Sequence, residues 1–252
     1  MVKLFAALML IVSLIGCGPK LDESTIALTA EEMAWIKTHA NVTWAVEDNR
    51  PPYIFVENGI SKGLSRDYMD LIGKKTGIKF VQMKVNTFIN GYDLTAGGIV
   101  DVVTAIHPTP ERSTKIGFTA PISYVGGVFL FRSSTIPRQP LAVGISRGFA
   151  VKDYLNFRFP DMKVVEVQDD TESLLLLQKG LLDASVMDEA SADHLLEHLA
   201  IKDSVRKARI NFDYPYSLGY KKENQILGSI LTKAVNSINQ HDKEKINSRW
   251  IK

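Results

Sequence analysis

Between Leu141 and Leu199, six short segments alternate in kind, and that alternation leaves few folds open. "LAVGIS" (141–146), "KVVEVQ" (163–168) and "ASVMD" (184–188) are apolar, β-branched runs of strand length. "AVKDYLNFRF" (150–159), "DTESLLLLQKG" (170–180) and "EASADHLLEHL" (189–199) follow them with helical composition. Strands and helices taken in turn predict an α/β fold, with mainly parallel sheet and helices on both faces.

The preceding part of the chain repeats the logic less regularly. In "LTAEEMAWIKTH", Thr29 and Glu32 form a capping-box pattern that opens a short helix. "NVTWAVE" reads as a strand cut off by "DNRPPY", and "SRDYMDLIGKKTG" as a helix stopped by Gly77. "KFVQMKV", "VDVVTAI" and "GVFLFR" read as further strands, with a short helix in "FINGYDLTAGG". Proline-containing seams near 132–140 and 211–222 bracket the second set. The chain is therefore expected to cross into a second lobe and return, and strand ends facing an interlobe cleft are where such sheets bind ligands.

With 45% hydrophobic and 23% charged residues, the chain has the composition of an ordinary folded soluble protein. Its formal charge of +2 gives no reason to expect nucleic acid or an anionic membrane surface as partner. The first residues differ. "MVKLFAALMLIVSLIGC" has one positive charge, then an apolar run from Leu4 to Ile15 that is short for a span needing ~20 residues but suits a signal-peptide core. Its end, Leu14-Ile15-Gly16-Cys17, resembles a bacterial lipobox, which implies cleavage before Cys17 and lipid attachment to its thiol. Cys17 is the only cysteine, so no disulfide forms within a monomer. Gly18, in place of an aspartate, points to the outer rather than the inner membrane.

"LTAEEMAWIKTH", "PPY" followed by "NGISKGLSRDYMDLI", "DVVTAIHPTPERSTKIGFTAPI", "VGISRGFAVKDYL", "GLLDASVMDEASADHLL" and the closing "EKINSRWI" occur in a telling order. In that order they resemble the bacterial extracellular solute-binding proteins of family 3, the polar amino-acid type. The nearer likeness is to the Venus-flytrap sensor domains of hybrid sensor kinases. The resemblance covers nearly all of residues 29–252. It implies a two-lobe periplasmic-binding-protein (Venus flytrap, type II) fold with two crossover strands. The divisions expected are a signal peptide at 1–16, a tether at 17–28, lobe one at 29–132 and 217–252, and lobe two at 133–216. It also implies that Arg112, in "TPER", grips a ligand carboxylate, as a guanidinium fork suits. Asp188 and Glu47 would receive the ligand ammonium. Read without the family, Arg112 pairs with Glu111 or Asp101, and Asp188 is a helix N-cap.

Three positions depart from the family pattern. Arg50 stands where Trp or Tyr precedes "PPY", His107 where a small hydroxyl is usual, and Phe149 where Ser, Thr or an aromatic follows Gly148. Arg50, Arg112 and His107 together favour a ligand with more than one anionic group, with Phe149 as apolar wall; alternatively, Arg50 pairs with Glu47 and fills the cleft. Tyr53 and Thr104 complete the candidate ligand-binding set.

Other motifs have plainer readings. "HLLEH" (194–198) fits H-x-x-E-H, yet reads as an amphipathic helix. "GISRG" (144–148) precedes a helix and lacks P-loop spacing. Tyr214 and Tyr216 sit at the second crossover, packing the hinge or lining the cleft. The function expected is capture of an amino acid or related carboxylate by hinge closure, without cofactor, metal or catalysis. The partner would be either an ATP-driven (ABC) permease or a membrane sensor. A cleft enzyme of the same fold, resembling cyclohexadienyl dehydratase with Glu47 or Glu189 as its acid, is the alternative.

Overall fold

The computed structural model describes residues 26–39, 41–133 and 141–251. The expected signal peptide, Cys17, most of the tether and most of the first proline seam lie outside the described residues. The elements run α1 (Ala30–Thr38), β1 (Asn41–Glu47), β2 (Asn49–Arg50), β3 (Ile54–Glu57), β4 (Ile60–Lys62), α2 (Leu64–Thr76), β5 (Lys79–Val85), α3 (Phe88–Gly97), β6 (Val102–Ile106) and β7 (Ile116–Phe118). They continue with β8 (Ser123–Arg132), β9 (Ala142–Ser146), α4 (Val151–Arg158), β10 (Lys163–Val167), α5 (Asp170–Gln178), β11 (Ala184–Asp188), α6 (Glu189–His198), β12 (Val205–Lys221), α7 (Gln225–Asn236) and α8 (Gln240–Trp250). The fold is α/β, and the six alternating segments after Leu141 are three strands and three helices.

The sheet runs in the order β10-β9-β11-β8-β12-β6-β1-β5, with β7 beside β12, and a separate small sheet joins β2, β3 and β4. β10, β9 and β11 are mutually parallel, as are β5, β1 and β6. Two long strands tie the halves together. β8 pairs antiparallel with β11 and with β12, while β12 also pairs with β6 and β7. The sequence suggests only a seam at 211–222. A 17-residue strand forms there because its start borders one half and its end the other, so no single period marks it.

Local rules explain several boundaries. Thr29 and Glu32 make the reciprocal capping box at the start of α1, and Glu32 also accepts from Ser229 and Lys233 of α7, docking one helix on the other. Leu64, Tyr68, Met69 and Ile72 place one buried stripe on α2, worth roughly 1.5–3 kcal/mol per large side chain. Gly77 ends α2 with φ of 77°, a conformation in which a Cβ is strained. β6 and β11 are buried along their whole length, as interior strands of a sheet covered on both faces should be. This rigid centre aims the C-terminal ends of β1, β6, β9 and β11 at one gap. There stand Glu47, His107, Ser146 and Asp188.

Candidate functional site

Arg50 lies at the end of β2 and is 7% exposed. Its Nη1 donates to Glu47 Oε1 at 2.9 Å and its Nη2 to the Ala105 carbonyl at 2.5 Å. Ala105 has φ of 48°, unusual for a residue with a Cβ, and its carbonyl faces the cleft to accept that bond. The guanidinium also lies 4.9 Å from the Phe88 ring centroid, 5.5 Å from Tyr53, and 5.9 Å from both Phe149 and Tyr216. Burial favours the neutral acid of Glu47 and raises its pKa, although Arg50 pulls the other way. Burial alone would lower the pKa of Arg50, but Glu47, the two tyrosines and Asp188 hold it above its ordinary value.

Arg112 sits at the start of a short 3-10 turn, 7% exposed. Neither Glu111 nor Asp101 is its partner: Nη1 donates to the His107 carbonyl and Nη2 to the Gly148 carbonyl, both at 2.6 Å. The second bond crosses the cleft from the turn after β6 to the turn after β9. Asp101 instead accepts from Thr43. Burial lowers Arg112 to about 10, so it stays charged at neutral pH. Gly148 has φ of 77°, which turns its carbonyl towards Arg112.

Asp188 caps α6, accepting from Ser191 N at 2.9 Å. Oδ1 also accepts from Tyr53 OH at 2.5 Å, and Oδ2 from Ser191 Oγ at 2.8 Å and Tyr216 OH at 3.0 Å. Four bonds fill the four acceptor positions of a carboxylate. The Tyr53 bond is a second link across the cleft, and Ser191 Oγ to the Pro51 carbonyl, 3.3 Å, is a third.

His107 stacks on Phe212, with centroids 5.3 Å apart, and its Nδ1 is buried without a hydrogen-bond partner among the described residues. Burial and the nearby Arg112 charge depress it to about 4, so it is a neutral imidazole at pH 7. Phe149 meets Phe88 edge-on at 5.3 Å, closing the cleft with an apolar contact. Thr104 is buried on β6. Thr104 apart, the predicted set is gathered around one gap, but its charged members are already engaged: Arg50 with Glu47, Arg112 with two carbonyls, and Asp188 with Tyr53, Tyr216 and Ser191. Arg50, Arg112 and His107 are not three free cations, because Arg50 is paired, Arg112 holds two carbonyls and His107 is neutral.

Several groups in the gap escape sequence reading. Phe88, Ala105 and the Gly148 carbonyl take part through position alone, whereas Tyr216, expected at the hinge or cleft, bonds Asp188 and faces Arg50. Asp170 and Ser146 form a buried pair at 2.5 Å, and burial raises Asp170 to about 7. Only the place of Asp170 at the end of a strand and start of a helix could have marked it. Outside the gap, His194 and His198 of "HLLEH" stack at 6.2 Å on α6. Among the described residues no group of three or more His, Cys, Asp or Glu is arranged to hold a metal. In "GISRG", the Gly148 amide donates to Glu166 at 3.2 Å. None of the described helices is long and apolar enough to cross a membrane.

Comparison with known proteins places this geometry. Sensor protein EvgS of Escherichia coli K12 is 23% identical over 240 residues, which is 90% of this chain and 20% of EvgS. Virulence sensor protein BvgS of Bordetella pertussis is 27% identical over 249 residues, 94% of this chain and 20% of BvgS. The chain thus spans about a fifth of the length of these curated relatives. The crystal structure of the B. pertussis BvgS periplasmic VFT2 domain superposes with a TM-score of 0.82 at 24% identity, covering 89% of this chain and 99% of that one. An ancestral arginine-binding protein bound to arginine superposes at 0.76 with 22% identity, covering 84% and 99%. At such identities the structures establish the fold, a periplasmic-binding-protein Venus flytrap. The sequence pattern of one family extends over residues 42–252, from β1 to the end, and the chain belongs to the bacterial extracellular solute-binding proteins, family 3.

Proposed function

We propose that this protein is a periplasmic, lipid-anchored sensor module that binds a small polar ligand in its interlobe cleft and signals through lobe position. One observation carries this reading. The two groups that would grip a ligand, Arg112 and Asp188, are bonded across the cleft to Gly148 and Tyr53 of the same chain. A ligand must displace those bonds, so its effect is set by its differential affinity for the two lobe arrangements. Such intrinsic closure suits a module whose resting arrangement is itself the signal. A delivery protein for an importer needs closure to depend on cargo.

The matches to sensor proteins support a membrane-bound partner such as a kinase or a cyclic-nucleotide enzyme, reached from a lipid anchor at Cys17. They also support a binding role without turnover. No reaction follows from Glu47, which faces Arg50, or from Glu189, which is bonded to Lys207 and Arg209. The test is cross-linking of the lipidated protein in intact cells through a photoreactive residue at exposed Tyr124. Recovery of a membrane sensor is the expected result, and recovery of a permease would overturn the signalling role.

A further inference from the structure

Arg50 stands between two cavities in the cleft. The outer one, about 190 Å³, is lined by Glu47, Asp48, Asp169 and Asp170, with Arg147 as the one guanidinium besides Arg50. It is small beside the roughly 300 Å³ at which ordinary ligand pockets begin. The inner one, about 10 Å³, is lined by His107, Arg112, Tyr214 and Tyr216. Tyr214 is 1% exposed, and its hydroxyl has no hydrogen-bond partner among the described residues.

Arg50 itself displays what this hollow accepts. Its flat cation is met by a carboxylate, a backbone carbonyl and four aromatic faces. Beside it, Asp170 is 8% exposed and has only the Ser146 hydroxyl as hydrogen-bond partner, with no ion pair among the described residues. Burial strips water from its charged form and raises its pKa to about 7, with Asp188 and Asp169 adding to the rise while the Ser146 bond and Arg50 oppose it. The group that would receive an anion, Arg112, already donates to two carbonyls. The unpartnered Tyr214 hydroxyl adds an acceptor behind Arg50.

We propose that the cleft takes a small organic cation, an ammonium or guanidinium that needs no carboxylate, which competes with Arg50 for Glu47 and the surrounding rings and is met by Asp170. This rests on the cleft being a ligand site, as proposed above. Arg50 would then act as a tethered ligand, and removing it should sharpen binding.

Methylguanidinium, at millimolar concentration, is the probe, followed by thermal shift and calorimetry. The proteins compared are wild type, Arg50→Ala, Arg50→Ala with Glu47→Gln, and Arg50→Ala with Asp170→Asn. The expected result is saturable binding to Arg50→Ala about tenfold tighter than to wild type, weakened about fivefold or more by either second change, as loss of a partnering charge implies. Equal affinity for wild type and Arg50→Ala, or binding indifferent to Glu47→Gln, overturns the proposal. If acetate, succinate or glutamate binds wild type and methylguanidinium does not, the cleft remains a ligand site and the cation assignment falls. If no cation, anion or amino acid binds, both fall. Should Arg50→Ala lose its far-UV circular dichroism, Arg50→Met, which keeps the side-chain stem and vacates the guanidinium position, replaces it. If that variant also unfolds, binding to wild type decides: saturable binding lost in Asp170→Asn supports the proposal, and its absence overturns it.

Discussion

Replacing Arg50 by methionine isolates the electrostatic centre of the cleft. Methionine fills the space of the side-chain stem and leaves Glu47, 9% exposed, without its cation. Removing one member of a buried pair costs about 3–5 kcal/mol, because the remaining charge keeps its desolvation penalty. Loss of the ring contacts adds to this, though not additively, since the same guanidinium makes them all. Against a total stability of roughly 5–15 kcal/mol, such a loss is easily measured. Urea unfolding should show the midpoint fall with the slope unchanged. Glu47→Gln in the same chain removes the stranded charge, so the double variant should recover about 2 kcal/mol or more, the coupling expected of a contacting pair. The penalty in Arg50→Met should also shrink at low pH. The folded carboxyl of Glu47 is already raised, so protonation favours the folded form below its pKa and the benefit is lost as pH rises through it. A loss under about 1 kcal/mol, or strictly additive single and double effects, would refute a pair locked in the cleft.

Three further outcomes follow from the same geometry. Asp170 is held at about 7 when folded and titrates near ~3.9 when unfolded, so the folded state retains a proton the unfolded state releases. Stability should fall as pH rises between these values, by up to roughly 4 kcal/mol, and Asp170→Asn should flatten the profile; parallel urea profiles at pH 5 and 8 would contradict this. His107, held near 4, should show no ring-proton shift by NMR between pH 5.5 and 8, and a titration of its ring protons within that range would contradict its burial as a neutral imidazole. Gly148→Ala strains a φ of 77° and brings a Cβ within 2.8 Å of Ile89, so it should cost about 1–3 kcal/mol and loosen the Arg112 bond; a neutral melting temperature would count against that bond.

The scaffold was legible wherever chemistry is local. The Thr29 and Glu32 capping box, the Gly77 stop and the three strand-helix steps after Leu141 all depend on residues a few positions apart. The three-stranded hairpin at 49–62 and helix α7 were not read, because the first has strands of two to four residues and the second lies beyond the crossover. At the candidate site, most of the residues singled out from the sequence come together at neighbouring strand ends, but the partner each group takes is a tertiary fact. Asp188 is the N-cap that its place before α6 suggests, while its bonds to two tyrosines from elsewhere in the chain carry no local signal. Ala105 carries no chemical signal, yet its carbonyl fixes Arg50 through a backbone angle that only the folded strand imposes. His107 looked like a cation, and burial makes it neutral.

The central claim is that the lobes are drawn together by bonds within the chain. It is tested by electron-electron distance measurement between spin labels at exposed Lys84 of one half and exposed Phe157 of the other. The protein is refolded from denaturant and dialysed so that any bound small molecule is removed. The account predicts one narrow, short distribution before any ligand is added, broadened to longer distances in Tyr53→Phe with Arg112→Met. A refolded wild type that is mainly at long distance, and shortens only when a ligand is supplied, would contradict it.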